Sequence, residues 1–387
     1  MNVLHVAAGK YPTEDNPISC IFVKKLVEMQ RSRGLDSRVL DAAEYMLAYF
    51  SHDVQVREEK LIIRSQKGLG KLPSFLQERY FDSVFSTLHN RYSLRPDIIH
   101  CHFSNNAPLG KELSSRFDCP YLVTLHENHW WFEDLIVKDP NKCKEAIVAS
   151  DMVTRPNSID IIDLYRWEIL SKKIMHLQNY VDEKSFRIPS ASERAERRSE
   201  MGVSDKKVII NIASLHKKKG HELLINSTAI LKKQIPELEI WIVGEGPEEK
   251  SLRQLSSNLR LQERIRFLGR IDNSKIQSYL SCGDLFAFPS IAESFGISQV
   301  EGMLAGLPVV ATRNFGSEDI VLNGHNGFII SSRDPKEYAD CLLEALTKTW
   351  DQYSIRQSAV ERFGSDIVYD KLLKLYESLI KNHYRDT

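Results

Sequence analysis

Two carboxylates eight positions apart, Glu293 and Glu301, frame the most chemically pointed stretch of this sequence, Pro289-Ser290-Ile291-Ala292-Glu293-Ser294-Phe295-Gly296-Ile297-Ser298-Gln299-Val300-Glu301. The stretch follows a short apolar run and leads into a helical pattern that stops at Gly306, before Pro308. Ser294, Phe295 and Gly296 stand where the helix begins, so backbone N–H groups without an intrahelical partner can point at a ligand there. Gly296 allows that ligand to come close. Glu301 shares a helical stripe with Ile297 and Leu304, a face that should be buried. A carboxylate on such a face needs donors, and ribose hydroxyls would supply them. The plain alternative is a glutamate at the stripe's edge, reaching water or a nearby base.

Three further clusters sit at the ends of apolar runs. Ser214-Leu215-His216-Lys217-Lys218-Lys219-Gly220 separates a strand pattern from a helical one, a place where a lysine can neutralise a diphosphate, although a solvated basic loop has the same composition. Val243-Gly244-Glu245-Gly246-Pro247 is a glycine-rich turn without the full Gly-x-Gly-x-x-Gly fingerprint, so a tight turn explains it equally well. His126-Glu127-Asn128-His129 ends a strand pattern, and His126 suits a sugar contact, a base or a structural role. His100 and His102 alternate onto one strand face as a metal pair would, but no third ligand stands at a telling spacing.

The elements that must position these residues alternate between the two periods. Apolar runs at 3–8, 37–40, 97–102 and 120–125 read as strands of a first half, with a helical pattern over 19–33 stopped by Gly34. The alternation restarts after 203, with strands expected at 208–215, 238–243, 265–268, 285–288 and 308–312 and helices at 221–234 and from 247 to about 259. Such alternation predicts parallel sheets covered on both faces. Residues 184–203, with Pro189 and a charged, small-residue stretch, are the expected linker. Val368, Leu372, Leu375, Tyr376 and Leu379 form one stripe of a last helix, suited to a core or, as the alternative, to a membrane surface.

Composition narrows the classes. The 387 residues suit two domains, and 52 basic against 52 acidic side chains give no global pull toward nucleic acid. Six scattered cysteines without a Cys-x-x-Cys pair suit free thiols in a reducing compartment. The amino terminus reads as a strand rather than a leader, and no run of about 18 apolar residues predicts a spanning helix.

Together the motifs resemble the family 4 glycosyltransferases. The carrying residues are Glu293-Ser294-Phe295-Gly296 with Glu301, then Ala305-Gly306-Leu307-Pro308-Val309-Val310-Ala311-Thr312 and Asn326-Gly327, preceded in order by Lys219-Gly220, Gly244-Glu245-Gly246-Pro247 and Gln178-Asn179-Tyr180-Val181-Asp182. The resemblance implies an α/β chain of the GT-B fold, two Rossmann-like domains across a cleft. It divides the chain into an acceptor-side domain over 1–187 completed by a helix at 365–387, a linker at 188–202 and a donor domain over 203–364. It implies a retaining hexosyl transfer from a UDP- or GDP-linked sugar to a glycan or lipid-linked acceptor, with no metal or other cofactor, in the cytoplasm or peripherally at the inner membrane surface. Glu293 is then expected on the donor sugar with the amides of Phe295, Gly296 and Ile297, Glu301 on the ribose, Lys219 on the diphosphate and His126 on the sugar near the acceptor. Ser214, Gly244, Arg270 and Ser294 join the substrate-binding set. Three positions depart from the family: Ser214 where it has arginine, Cys20 where it has a first-loop glycine, and Phe315 before Gly316 where it pairs glycines. The rival readings are a nucleotide-sugar epimerase and a non-catalytic partner subunit of the same fold. A basic, partly apolar segment over 57–79 is read as a solvated loop or an acceptor contact at a membrane.

Overall fold

The computed structural model describes residues 1–7, 21–41, 54–57, 60–63, 82, 85–127, 140–159, 164–165 and 168–385. The chain forms two compact units, Met1–Tyr180 with Val368–Thr387, and Val181–Ile367.

The first unit is built on strands β1 (Asn2–Val6), β2 (Asp36–Asp41), β3 (Val54–Arg57), β4 (Lys60–Ile63), β5 (Ile98–His102), β6 (Tyr121–Thr124), β7 (Met152–Arg155) and β8 (Ile174–His176). They line up as β3-β4-β2-β1-β5-β6-β7-β8. All neighbours are parallel except the β3–β4 pair. Leu4, Val6, Ile99, Cys101 and Val123 pack on one face with Leu109 and Leu113 of helix Ala107–Phe117 and Ile147 of helix Pro140–Ala149. On the other face Val3, Ile98 and Leu122 meet Met29 of helix Ile21–Ser32 and the stripe Val368, Leu372, Leu375, Tyr376 and Leu379 of helix Ser365–His383. That stripe, legible at helical spacing, is therefore core, and the last helix completes the first unit. No helix among the described residues is long and apolar enough to cross a membrane.

The second unit carries β9 (Lys207–Ile212), β10 (Leu238–Val243), β11 (Ile265–Gly269), β12 (Leu285–Phe288), β13 (Val309–Thr312) and β14 (Gly327–Ile330). Its order is β11-β10-β9-β12-β13-β14, parallel throughout. Val208, Ile210, Trp241 and Phe286 pack on one face, Ile209, Ile240, Ile242 and Ala287 on the other. These strands are buried on both faces, which is why they read as nearly unbroken apolar runs.

The expected linker at 188–202 is instead a helix of the second unit, Ala191–Glu200. Ser190 caps it in a reciprocal box with Glu193, the Ser190 side chain accepting from the Glu193 amide and the Glu193 carboxylate from the Ser190 amide. The charged composition that suggests a linker is that of an exposed helix surface with two basic residues turned inward. Arg194 and Arg198 reach Asp284 at 2.9 and 3.3 Å, and Asp284 also accepts from the Val208 amide at 2.8 Å. Flanking Phe186 and Val203 are buried. The division falls at Tyr180 and Val181 rather than at 187. Asp284→Ala removes the acceptor shared by two largely buried guanidinium groups and one amide. It should destabilise the second unit by about 2–4 kcal/mol, between exposed and fully buried ion pairs, as read from its denaturant midpoint.

Candidate functional site

In the second unit the chain fills one side of β9 with β10 and β11, then jumps to β12 and fills the other side. The carboxyl ends of β9 and β12 thus flank a topological switch point, where open α/β sheets bind ligands. Lys219 follows β9, and Glu293 follows β12.

Backbone contacts weld these two loops together. Lys217–Lys219 form a single 3-10 turn closed by Gly220 at φ 68°. A Cβ on Gly220 would lie 2.0 Å from the Pro289 carbonyl oxygen, so only glycine lets the loops touch. The Ile291 amide donates to the Lys218 carbonyl at 2.7 Å. Thr312 and Asn314 side chains donate to the Ser290 carbonyl at 2.7 and 3.2 Å, and Arg333 donates to the Pro289 carbonyl at 3.0 Å. On this platform the Lys219 ammonium donates to the Glu293 carboxylate, with both side chains about one-sixth exposed (16% and 17%).

The chain then turns at Gly296, φ 89°, into helix Ile297–Leu304. Gln299 in the first turn donates to the Gly296 carbonyl at 3.2 Å, while the amides at the very start of a helix have no acceptor in the preceding turn. Phe295 is buried against Phe363, edge-on with centroids 5.4 Å apart, so it offers backbone rather than ring to a ligand. Glu301 is half-buried in the same helix. Gly316 explains one departure from the expected pattern. Its amide donates to the Glu293 carbonyl at 3.0 Å, and a Cβ would sit 2.3 Å from the Phe295 carbonyl oxygen. Gly316 is the second residue of the short helix Phe315–Ile320, which Asn314 caps.

Ser214 is exposed, and its loop is welded to the glycine-rich turn. A Cβ on Gly244 would lie 2.0 Å from the Ala213 carbonyl oxygen, and Leu215 donates to the Glu245 carbonyl at 2.9 Å. The turn thus packs directly on the loop that follows β9. Arg270, after β11, faces Glu245 at 3.8 Å in an exposed pair.

In the first unit His126 follows β6. It is half-buried against Phe22 and Phe103, with ring centroids at 4.5 and 5.0 Å. Burial, helped by the positive charge of Arg155, pushes its pKa down to about 3, so the ring is neutral near pH 7. Glu127 is buried and accepts from the Ser104 amide and hydroxyl at 2.7 and 2.8 Å. Asn128, His129, Cys20 and most of 57–79 lie outside the described residues.

The strand pair His100 and His102 gains a neighbour that sequence spacing could not show. His5 of β1 brings its ligating atoms within 4.8 Å of theirs. A metal there would compete with existing hydrogen bonds at every ring nitrogen. His5 meets His102 at 2.9 Å and Gln30 at 2.7 Å, His100 meets Tyr376 and Thr124 at 2.6 Å each, and His102 also meets His126 at 3.1 Å. The three histidines, Gln30 and Tyr376 are the residues that sequence reasoning missed or left isolated. The advance signal for the histidines was polar side chains inside otherwise apolar strands; Gln30 and Tyr376 lie on helices, and Tyr376 stood out only as part of the last helix's stripe.

Comparison with known proteins decides the class. The glycosyl transferases group 1 family matches residues 192–362, within the second unit. Those residues make the second unit a glycosyltransferase domain of the group 1 type. The N-acetyl-alpha-D-glucosaminyl L-malate synthase of Bacillus anthracis is 25% identical to it over 75% of this chain and 76% of that protein. The GDP-mannose-dependent alpha-(1-6)-phosphatidylinositol monomannoside mannosyltransferase of Mycolicibacterium smegmatis is 30% identical over 42% of this chain and 44% of its own length. The crystal structure of Anabaena HepE in complex with UDP and glucose matches with a TM-score of 0.75 over 98% of this chain and 100% of that one, at 20% identity. That likeness is one of fold, and it makes this glycosyltransferase a GT-B protein of two Rossmann-like units.

Burial of histidines in this glycosyltransferase has a consequence for stability. His5, His126 and His221 are held at about 4, 3 and 4 by desolvation, below the unfolded value of 6.5. As pH falls below 6.5 the unfolded chain takes up protons that the folded chain refuses, so stability is complete above 6.5 and is lost toward pH 4. Melting temperature should fall through that window, and His5→Gln should flatten the slope.

Proposed function

We propose that this glycosyltransferase is a retaining, metal-independent enzyme that moves a hexosyl group from a UDP- or GDP-linked sugar to a glycan or lipid-linked acceptor. One observation carries the reading: a cation and a carboxylate, Lys219 and Glu293, stand side by side at the switch-point edge of the second sheet, next to an open helix N-terminus. A nucleotide-diphosphate sugar has an anion on one side of its scissile bond and hydroxyls on the other. A neighbouring donor and acceptor pair matches that pattern.

Breaking the bond between the anomeric carbon and the phosphate oxygen leaves positive character on the sugar and negative charge on the diphosphate. Lys219 and the amides at Gly296 and Ile297 would meet the growing negative charge, stabilising the transition state more than the ground state. Glu293 would accept from sugar hydroxyls, Glu301 from the ribose, and His126 would serve the transferred sugar. Ser214 and Arg270 would border the diphosphate and the nucleotide. Glu293 and Glu301 are not a glycosidase pair, because carboxylates in that role flank the scissile bond. The relatives support the donor class: the mycobacterial enzyme is named for GDP-mannose, and HepE was crystallised with UDP and glucose.

A panel of UDP- and GDP-sugars, scored by donor hydrolysis and by the anomeric configuration of the product, tests the reading; inversion, or full loss of activity in EDTA, would sink it. Lys219→Ala should lower turnover by about 10²–10³-fold, the cost of one preorganised donor, and unchanged turnover would remove the assigned role. Glu301→Ala should act on nucleotide binding instead, weakening it by about 1.5–3 kcal/mol for each bond lost to a charged acceptor. Titration calorimetry with UDP and GDP reads that loss, and intact affinity with reduced turnover would contradict the ribose assignment.

A further inference from the structure

Beneath the Gly296 turn of the second unit lies a polar side chain that packing alone does not require. Gln299, in the first turn of helix Ile297–Leu304, is wholly inaccessible (0%). Its Nε2 donates to the Phe295 carbonyl at 2.9 Å, and its Oε1 is buried with no donor. A core position filled this way carries an orphaned acceptor that an apolar side chain of the same length would not bring. What the glutamine gains in return is a hold on one peptide unit.

We propose that Gln299 is a positioning residue that aims the Gly296 N–H at the anionic side of the sugar nucleotide. The proposal rests on the reading of the Gly296 amide given above.

The peptide joining Phe295 to Gly296 is trans. In a trans peptide the C=O and the N–H point in opposite directions, so whatever holds the carbonyl also directs the amide. Two neighbours hold the Phe295 carbonyl. Gln299 donates to it, and Gly316 lies so close that a Cβ there would sit 2.3 Å from the oxygen. The Glu293 carbonyl faces the same neighbour, accepting from the Gly316 amide at 3.0 Å. The Gly296 N–H therefore leaves on the side opposite Gln299 and Gly316. Gly296 is half-buried rather than enclosed, and its amide has no acceptor among the described residues.

A hold is needed at this point because glycine restrains its own backbone least. Gln299 is seated to supply it: a Cβ on Gly296 would meet Gln299 Nε2 at 2.6 Å and Phe288 Cζ at 2.8 Å, so both side chains lie directly under the turn. The reversed side-chain amide would set Oε1 against the Phe295 oxygen, two acceptors face to face, so Gln299 can only donate there. A donor fixed in advance costs no reorganisation as charge develops on the leaving phosphate, which is the condition for it to act on the transition state.

Gln299→Met tests this, because methionine keeps the length and the helix propensity but cannot donate. The variant strips a donor from the Phe295 carbonyl and removes the orphaned Oε1 together, so orphaned buried acceptors do not increase. Its melting temperature should stay within about 4 °C of wild type. Its turnover should fall by about tenfold or more, since a misdirected donor forfeits part of what a deleted one costs, while affinity for UMP and GMP, which lack the terminal phosphate, stays within about twofold. A direct readout comes from protein carrying ¹³C at phenylalanine carbonyls and ¹⁵N in glycine. Only the peptides entering Gly296, Gly316 and Gly364 then give correlated signals, and Phe315→Leu and Phe363→Leu identify the other two. On addition of UDP or GDP the Gly296 amide proton should move downfield in wild type and stay nearly still in Gln299→Met. Equal movement in both proteins, or no movement in wild type with nucleotide bound, would overturn the proposal. A melting temperature far below wild type would make Gln299 a structural support instead. Full turnover in Gln299→Met with Lys219→Ala impaired removes only the role of Gln299, whereas full turnover in both variants removes the diphosphate site on which it rests.

Discussion

Van der Waals contact between two backbones, at Gly220 and Pro289, sets the position of everything chemical in the second unit. A Cβ at residue 220 would overlap the carbonyl oxygen it faces, so the lysine turn and the glutamate loop share one surface instead of two separate ones. The platform is then fixed from below by Thr312, Asn314 and Arg333, which between them occupy the Ser290 and Pro289 carbonyls. Side chains on a platform of that kind lose little freedom on meeting a ligand, which is the condition for fixed charges to act differentially on a transition state. The same device recurs where Gly244 meets Ala213 and where Gly316 meets Phe295. Four loops are seated on one another through three glycines, and the departure at Ser214 changes a side chain without disturbing that seating.

The first unit solves a different problem. Its site-bearing strands are buried on both faces, yet β1 and β5 together carry three histidines. Burial of so much polarity is tolerable because every ring nitrogen of His5, His100 and His102 has a partner. The cost appears as proton affinity, since these rings can be buried only as neutral species. A neutral His126 cannot supply a positive charge to a diphosphate. In the proposed reading that duty falls to Lys219, which lies in the second unit.

How far all this was legible depends on where each interaction lies along the chain. Strands β9 to β13 of the second unit and helix Ile297–Leu304 were readable because their signals are local: a run of apolar residues, a glycine at a cap, a proline after a stop; β14, only four residues long, was not read. The stripe on the last helix was readable for the same reason. The linker assignment failed at residues 188–202 because a charged, alanine-containing segment is as good a helix surface as it is a tether, and only Asp284, some 90 positions away, reveals which arginines turn inward. The histidine chain was illegible for a stricter reason. Spacing places His100 and His102 on one face, but nothing in a sequence says that β1 lies beside β5, or that Gln30 and Tyr376 reach the same point from residues 346 positions apart.

The split of the first unit into Met1–Tyr180 and Val368–Thr387 has a consequence for biosynthesis. Ribosomes deliver the amino-terminal sheet first, then a contiguous stretch holding all of Val181–Ile367, and the covering helix last. Domains generally fold as units during synthesis, so the inner segment has what it needs to condense while the earlier sheet still lacks Tyr376 and the apolar stripe around it. For the length of time taken to translate those intervening residues, one face of the nascent sheet, including Val3, Ile98 and Leu122, stays open to water and to chaperones. The oldest part of the polypeptide is thus among the last to be finished.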